Sequence, residues 1–185
     1  MTGTGFYSVV KEDMNNYKMG IGLLLTQRGI PHLYYGTEIL MKNFKNPSDA
    51  MVREDFPGGF EGDTINKFLS SGRTDSENIA FNYLTRLAVF RKTSPALTTG
   101  ELMQYIPSKG LYVYFRYDNH QTILCALNTD TLDASIHFED YTERTRSFET
   151  ATDVIDGSMY SLSEKMNIPA RSIRMLELKK TADCQ

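Results

Sequence analysis

Two phenols, Tyr34 and Tyr35, and one carboxylate, Glu38, close the stretch GIPHLYYGTEIL that runs from Gly29 to Leu40. Further on, Arg53, Glu54 and Asp55 form a mixed-charge triplet, followed by Phe60, Glu61 and Asp63. A carboxylate offers two acceptor oxygens and an arginine a planar fork of donors, so these residue types can grip a polar ligand. Plainer roles fit the same residues. Glu38 can be an ion-pairing side chain, and Arg53 with Asp55 a solvated pair worth little. Tyr34, Tyr35 and Phe60 are aromatic side chains of the kind found more often in a core than on a binding platform. The three histidines, His32, His120 and His137, are scattered, and none has a second His or Cys at metal-ligand spacing. No metal site and no cofactor are expected.

These side chains need elements to hold them. Between Asp13 and Arg28, the residues Met14, Tyr17, Ile21, Leu24 and Leu25 recur at helical spacing, and Gly29 suits the position that closes a helix. Ile30 to Tyr35 is short, apolar on both faces and bounded by glycines, as expected of a buried parallel strand. Thr74 followed by Glu77 reads as a capping box, and Ile79, Ala80, Tyr83, Leu84, Leu87 and Ala88 predict a helix that ends before Pro95. The segment from Gly36 to Thr74 is interrupted by Pro47, Pro57, Gly58, Gly59, Gly62 and Gly72. It is far longer than the roughly 2 to 6 residues usual between a strand and its helix, which marks a functional or disordered loop.

The period then changes from helical to alternating. Leu111, Val113, Phe115 and Tyr117 alternate with Tyr112, Tyr114 and Arg116, Asp118–Asn119 supplies a turn, and Gln121 to Asn128 follows as a second strand. Shorter strands are expected at Leu102–Ile106, Ser135–Phe138, Ser147–Ala151 and Ser172–Leu178, the spacing of an antiparallel sandwich. The tyrosines of the first strand read as filling of a half-buried sheet rather than as a binding face.

Bulk composition narrows the function classes. The chain has 185 residues, of which 41% are hydrophobic, enough for a substantial core. Twenty Lys plus Arg against 23 Asp plus Glu leave a net charge of -3, which provides no basic surface for nucleic acid. No apolar run approaches the roughly 20 residues that cross a bilayer, and no membrane partner is expected. Cys125 and Cys184 do not suggest a disulfide framework, and the compartment is not legible from them.

A helix, a buried parallel strand, a long loop and another helix, followed by an all-β region, is the ending expected of a (β/α)8 TIM barrel that carries a C-terminal antiparallel β-sandwich. As given, the chain is therefore expected to be α+β: the last αβα part of the barrel over residues 1–97 and the sandwich over 98–185. The residues agree with a known family. GIPHLYYGTE resembles the eighth-strand motif of the α-amylase family of glycoside hydrolases, and VREDFPGGF, GRT, YLTRLAVFRKTSPALTTGEL and YVYFRY are similar to its neopullulanase and cyclomaltodextrinase branch. The resemblance covers about Phe6 to Lys179.

The resemblance implies a retaining enzyme whose two acting carboxylates stand about 5 Å apart across the glycosidic bond. In the family these lie on strands before the eighth, so this chain is expected to lack them and to be inactive alone. The substrate implied for the parent is an α-glucan or malto-oligosaccharide. Glu38 is implied at the pocket rim or as a brace of the barrel, Arg53 and Asp55 beside bound sugars, and Phe60 as a stacking face where relatives more often have tryptophan. A strand made for a parallel sheet but deprived of neighbours exposes two unpaired edges, so self-association is expected. The residues leave open a second possibility, a non-catalytic carbohydrate-binding or structural β-sandwich module.

Overall fold

The computed structural model describes residues 5–180. Their packing forms two compact units. One comprises residues 31–85 with the described part of 1–18, and the other comprises residues 19–30 with the described part of 86–185.

The first unit contains the single turn α1 (Phe6–Val9), the opening of helix α2 (Met14–Thr26) and the opening of helix α3 (Asp75–Thr93). Tyr17 is its pin. The ring is fully buried, meets Phe6 and Tyr7 edge to face at 5.8 and 6.3 Å, and donates its hydroxyl to the carbonyl of Thr37 at 3.1 Å. Between the helices the chain forms 3₁₀ turns at Thr37–Ile39, Asp49–Val52 and Ser70–Gly72. The expected strand over Ile30–Tyr35 is not found: residues 30–34 carry no regular structure. A strand exists only as part of a hydrogen-bonded ladder, and no described residue presents this segment with a partner edge.

The capping box forms as read. Thr74 N–H donates to the Glu77 carboxylate at 2.7 Å and Glu77 N–H to the Thr74 hydroxyl at 3.3 Å, which satisfies two orphan donors at the start of α3. The long loop is held to that helix start by Arg73. Its guanidinium donates to the carbonyls of Lys67 and Phe68 and to Asn78 Oδ1, and lies 3.8 Å over the Phe81 ring.

The second unit contains the ends of both long helices, the turn α4 (Pro95–Thr98) and strands β1 (Glu101–Gln104), β2 (Leu111–Tyr117), β3 (Thr122–Asn128) and β4 (Ala134–Ile136). The turn α5 (Thr142–Thr145) precedes β5 (Thr150–Asp153), β6 (Met159–Ser161), β7 (Met166–Ile168) and β8 (Ser172–Lys179). All pairings are antiparallel. Six strands run in the order β1-β2-β3-β8-β5-β6, and β4 with β7 forms a second small sheet.

Alternation along β2 decides which side chains meet. Val113 and Phe115 join Leu124, Ala126, Leu176 and Leu178 of the large sheet against Ile136, Met166 and Ile168 of the small one. Full burial of a side chain such as Phe115 or Leu124 stabilises by about 2 kcal/mol. The opposite face of β2 carries Tyr114 and Arg116, also buried, so the tyrosine-rich strand is sheet filling as expected. Asn128 ties the layers together by donating to the carbonyls of Leu132, Ile168 and Pro169 at 2.9 to 3.1 Å.

Candidate functional site

The candidate site of the first unit is a cavity of about 370 Å³ lined by Tyr34, Tyr35, Thr37, Met41, Asn43 and Arg53 among others. The wall begins at Gly36, whose φ of 81° and close approach to Met41 leave no room for a Cβ. Gly36 contributes its carbonyl to Ile39 and Met41 N–H, at 3.2 and 2.8 Å, which turns the chain immediately after the two tyrosines. The Tyr34 and Tyr35 rings lie 4.6 Å apart and tilted by 37°. They are 56% and 43% exposed, so the expectation that they are core is corrected. Their backbone sits in an unpaired segment, and no second layer covers them within the described residues.

The opposite wall is fixed through Glu54. Tyr35 donates its hydroxyl to the Glu54 carbonyl at 2.9 Å, and Asn43 Nδ2 donates to the Glu54 carboxylate at 2.7 Å. Asn43 Oδ1 meanwhile accepts Phe44 N–H at 2.7 Å, which sets the orientation of its amide. Arg53 is held on the cavity side by the turn Asp49–Val52, its N–H donating to the Ala50 carbonyl at 3.0 Å. The Tyr34 phenol first, then burial and the charge of Asp55, raise the pKa of Tyr35, while Arg53 opposes them. Tyr35 is thus a neutral donor at ordinary pH, and both charged residues lie within electrostatic reach of it.

The four residues singled out in the sequence are not gathered into one place. Arg53 lines the cavity, and Asp55 stands beside it on an exposed backbone. Glu38 sits in the turn Thr37–Ile39, makes no hydrogen bond or ion pair with another described residue, and acts by its charge on Tyr17. That charge adds to burial in raising the Tyr17 phenol well above its ordinary value. Phe60, 61% exposed, is carried on a separate loop turn, where its N–H and that of Gly58 both donate to Asp63.

Glu54, which lines the cavity, is occupied, and so is Asp63 on the loop that follows. Glu54 is bound by Asn43, and Asp63 accepts two backbone donors that hold its carboxyl below the usual range. Asp63 is therefore a loop staple and unsuited to deliver a proton. Elsewhere, burial pushes the Cys125 thiol up to about 12, which makes it inert as a nucleophile. Sequence reasoning missed the Asn43–Glu54 clamp, because two polar residues in an irregular loop have no period to betray their contact.

Comparison with known proteins places this geometry in context. Residues 102–177 match the cyclo-malto-dextrinase C-terminal domain. The chain is 28% identical over 116 residues to a cyclomaltodextrin glucanotransferase of Geobacillus stearothermophilus, covering 63% of this chain and 14% of the relative. It is 26% identical over 111 residues to an alpha-amylase of Niallia circulans, covering 60% of this chain and 18% of the relative. The chain thus spans less than a fifth of the length of these curated relatives. The solved alpha-amylase of Geobacillus thermoleovorans superposes with a TM-score of 0.70 at 19% identity, over 95% of this chain and 36% of that one. A three-domain cyclomaltodextrin glucanotransferase, CldA, superposes with a TM-score of 0.64 at 20% identity, over 92% of this chain and 34% of that one.

Proposed function

We propose that this chain, the counterpart of the C-terminal part of α-amylase-family glycoside hydrolases, supplies one wall of an α-glucan cleft and the β-sandwich that accompanies it. In this reading residues 1–97 are the end of a (β/α)8 barrel, residues 98–185 are the sandwich domain, and the pair of acting carboxylates belongs to sequence outside these 185 residues. The observation that carries it is the cavity wall: two exposed phenols of the eighth-strand motif and an arginine fork from the loop that follows it, around about 370 Å³.

The chemistry of that wall is recognition. Arg53 offers paired donors to vicinal hydroxyls, Asp55 offers acceptors beside it, and the tilted Tyr34 face suits the C–H surface of a pyranose ring. Tyr35 positions the Arg53–Asp55 segment through its bond to the Glu54 carbonyl. Glu38, in the turn Thr37–Ile39, is assigned to the pocket rim. Retaining cleavage needs one carboxylate to attack the anomeric carbon and a second, protonated one about 5 Å away to release the leaving oxygen. Glu54 is already held by Asn43 and Asp63 by backbone donors, and in this reading the acting pair is supplied by the parent protein rather than by this wall.

The test is to join the chain to a polypeptide carrying the seven preceding barrel strands of a relative and to assay malto-oligosaccharide cleavage. Activity that appears only in the joined protein, with KM raised by Arg53→Ala, supports the reading. A joined, folded protein with no α-glucan cleavage overturns it.

A further inference from the structure

The six-stranded sheet ends in β6, and its pairing with β5 fixes which way the backbone groups of that edge point. Asp153 N–H donates to the Ser158 carbonyl at 2.8 Å and Leu162 N–H to the Glu149 carbonyl at 2.9 Å, with Ala151 opposite Tyr160 between them. Hydrogen-bonded pairs alternate along an antiparallel ladder, so Tyr160 turns its N–H and C=O toward β5. Met159 and Ser161 turn theirs away from the sheet, and no described residue bonds to those groups. The side chains divide the other way. Tyr160 packs on the sandwich core beside Ala151, whereas Met159 is 73% exposed.

Natural sheets blunt a free edge with charges or prolines, and this edge has neither. Residues 157–163, GSMYSLS, are uncharged and contain no proline, and residues 156–159 are all exposed. The opposite edge, β1, begins instead at Glu101, whose carbonyl accepts from Arg116 and whose carboxylate accepts the Tyr117 hydroxyl. Laid antiparallel about a two-fold axis at Tyr160, two copies of β6 set Met159 of each opposite Ser161 of the other. Four N–H···O bonds then close, and every outward group of the strand is used. Tyr160 meets Tyr160 of the second copy in the closer, non-hydrogen-bonded position, where aromatic pairs are favourable. Asp156 and Glu164 fall opposite each other across the axis, and their like charges confine the pairing to the residues between them.

We infer that β6 is a docking edge for β6 of a second copy of this chain, which joins the two six-stranded sheets into one. The occupant is a second copy because the edge is complementary to itself: this register pairs both outward residues of each strand, and every other register leaves one of them unpaired. The interface is independent of the cavity wall in the first unit and of the function proposed for it. Three residues a side make it weak, with a dissociation constant on the order of 0.1 mM.

The test is cross-linking of the 185-residue chain by oxidised glutathione, in a Cys184→Ser background that leaves only the buried Cys125 of its own cysteines. Tyr160→Cys should give a disulfide-linked dimer, because the axis sets residue 160 opposite itself at about 4.5 Å between Cα atoms. Met159→Cys, although at a more exposed position, should cross-link at least about tenfold more slowly, since its own counterpart lies beyond the roughly 7 Å that a disulfide spans. A folded Tyr160→Cys chain that does not cross-link overturns the inference, as does Met159→Cys cross-linking equally fast. Because Tyr160 touches the core, Ser161→Pro provides a second variant: it removes an outward N–H and leaves the bonds of Tyr160 to β5 in place. With circular dichroism confirming the fold, sedimentation equilibrium should show self-association weakened at least about fivefold, the effect of two lost bonds across the axis. Association of native strength in that variant overturns the inference, and so does a native chain that stays monomeric at about 1 mM.

Discussion

Arg116 on β2 donates through Nη1 to the backbone carbonyl of Thr26, 3.0 Å away and 90 residues earlier in the chain. Thr26 ends helix α2, where carbonyls have no intrahelical partner, and Arg116 also donates to the carbonyls of Glu101 and Gly100 at 3.1 and 3.0 Å. Arg91 completes the arrangement by donating to the carbonyls of Leu25 and Gly29 at 2.7 and 2.8 Å. Two buried guanidinium groups thus cap one helix end, where the helix dipole also favours positive charge. Replacing Arg116 by methionine fills similar volume but leaves three carbonyls without a donor, so we expect a loss of about 2 to 4 kcal/mol in urea unfolding. Lysine at the same position should lose less, because its ammonium recovers part of the bonding.

A second expectation concerns the neighbouring pair. The Thr26 hydroxyl donates to the Gly22 carbonyl at 2.6 Å and meets the Tyr114 hydroxyl at 2.5 Å, both buried. Thr26→Val and Tyr114→Phe should each destabilise, and the double variant should lose less than their sum by about 1 kcal/mol, since both remove one shared bond. Strict additivity in a double-mutant cycle would show the two hydroxyls to be uncoupled.

The pH response of the first unit should centre on Glu77. Burial raises its pKa, but Lys67 and the Thr74 N–H outweigh burial, so the folded value lies below the ordinary one. The contribution is therefore present above the unfolded carboxylate pKa of about 4.3 and is lost as pH falls through the lower folded value. Glu77→Gln should cost about 1 kcal/mol at neutral pH and flatten the decline in Tm between neutral and acid solution. An unchanged acid limb in that variant would assign the decline to other carboxylates.

In a joined, active protein, Arg53→Ala and Asp55→Ala should each weaken productive malto-oligosaccharide binding by about 1 to 3 kcal/mol with the fold intact. Tyr35→Phe removes the bond to the Glu54 carbonyl and should raise KM more than it lowers kcat, since it positions and does not react. Steady-state kinetics at several substrate concentrations separates the two parameters.

Assayed alone, the chain should release no sugar from starch, pullulan or cyclodextrin, and it should elute from size exclusion as a species larger than one chain. Ile30 is 97% exposed and begins a segment without a ladder partner, a surface that favours pairing with another copy. Sugar release that scales with purified chain and disappears on Glu38→Gln would assign catalysis to its own carboxylates. A stable monomer would show that the segment needs no partner.

What the sequence determined by itself is the local grammar. The capping box at Thr74 and Glu77, the helix beginning near Met14 and the alternation of β2 each rest on interactions between residues a few positions apart, and each is present in the fold. The three-residue strands β6 and β7 escaped notice because so short a run shows no period, and Ser147–Phe148 belongs to a turn where a strand was expected. Tertiary structure decided the rest. Whether Ile30–Tyr35 is a strand depends on neighbours that must bond to it, whether Tyr34 faces a core or a cavity depends on what covers it, and which carbonyls Arg91 and Arg116 reach depends on a helix end distant in the chain. Those are long-range facts, and a side chain's type states only what it can bond to, not which group the folded chain will bring within 3 Å of it.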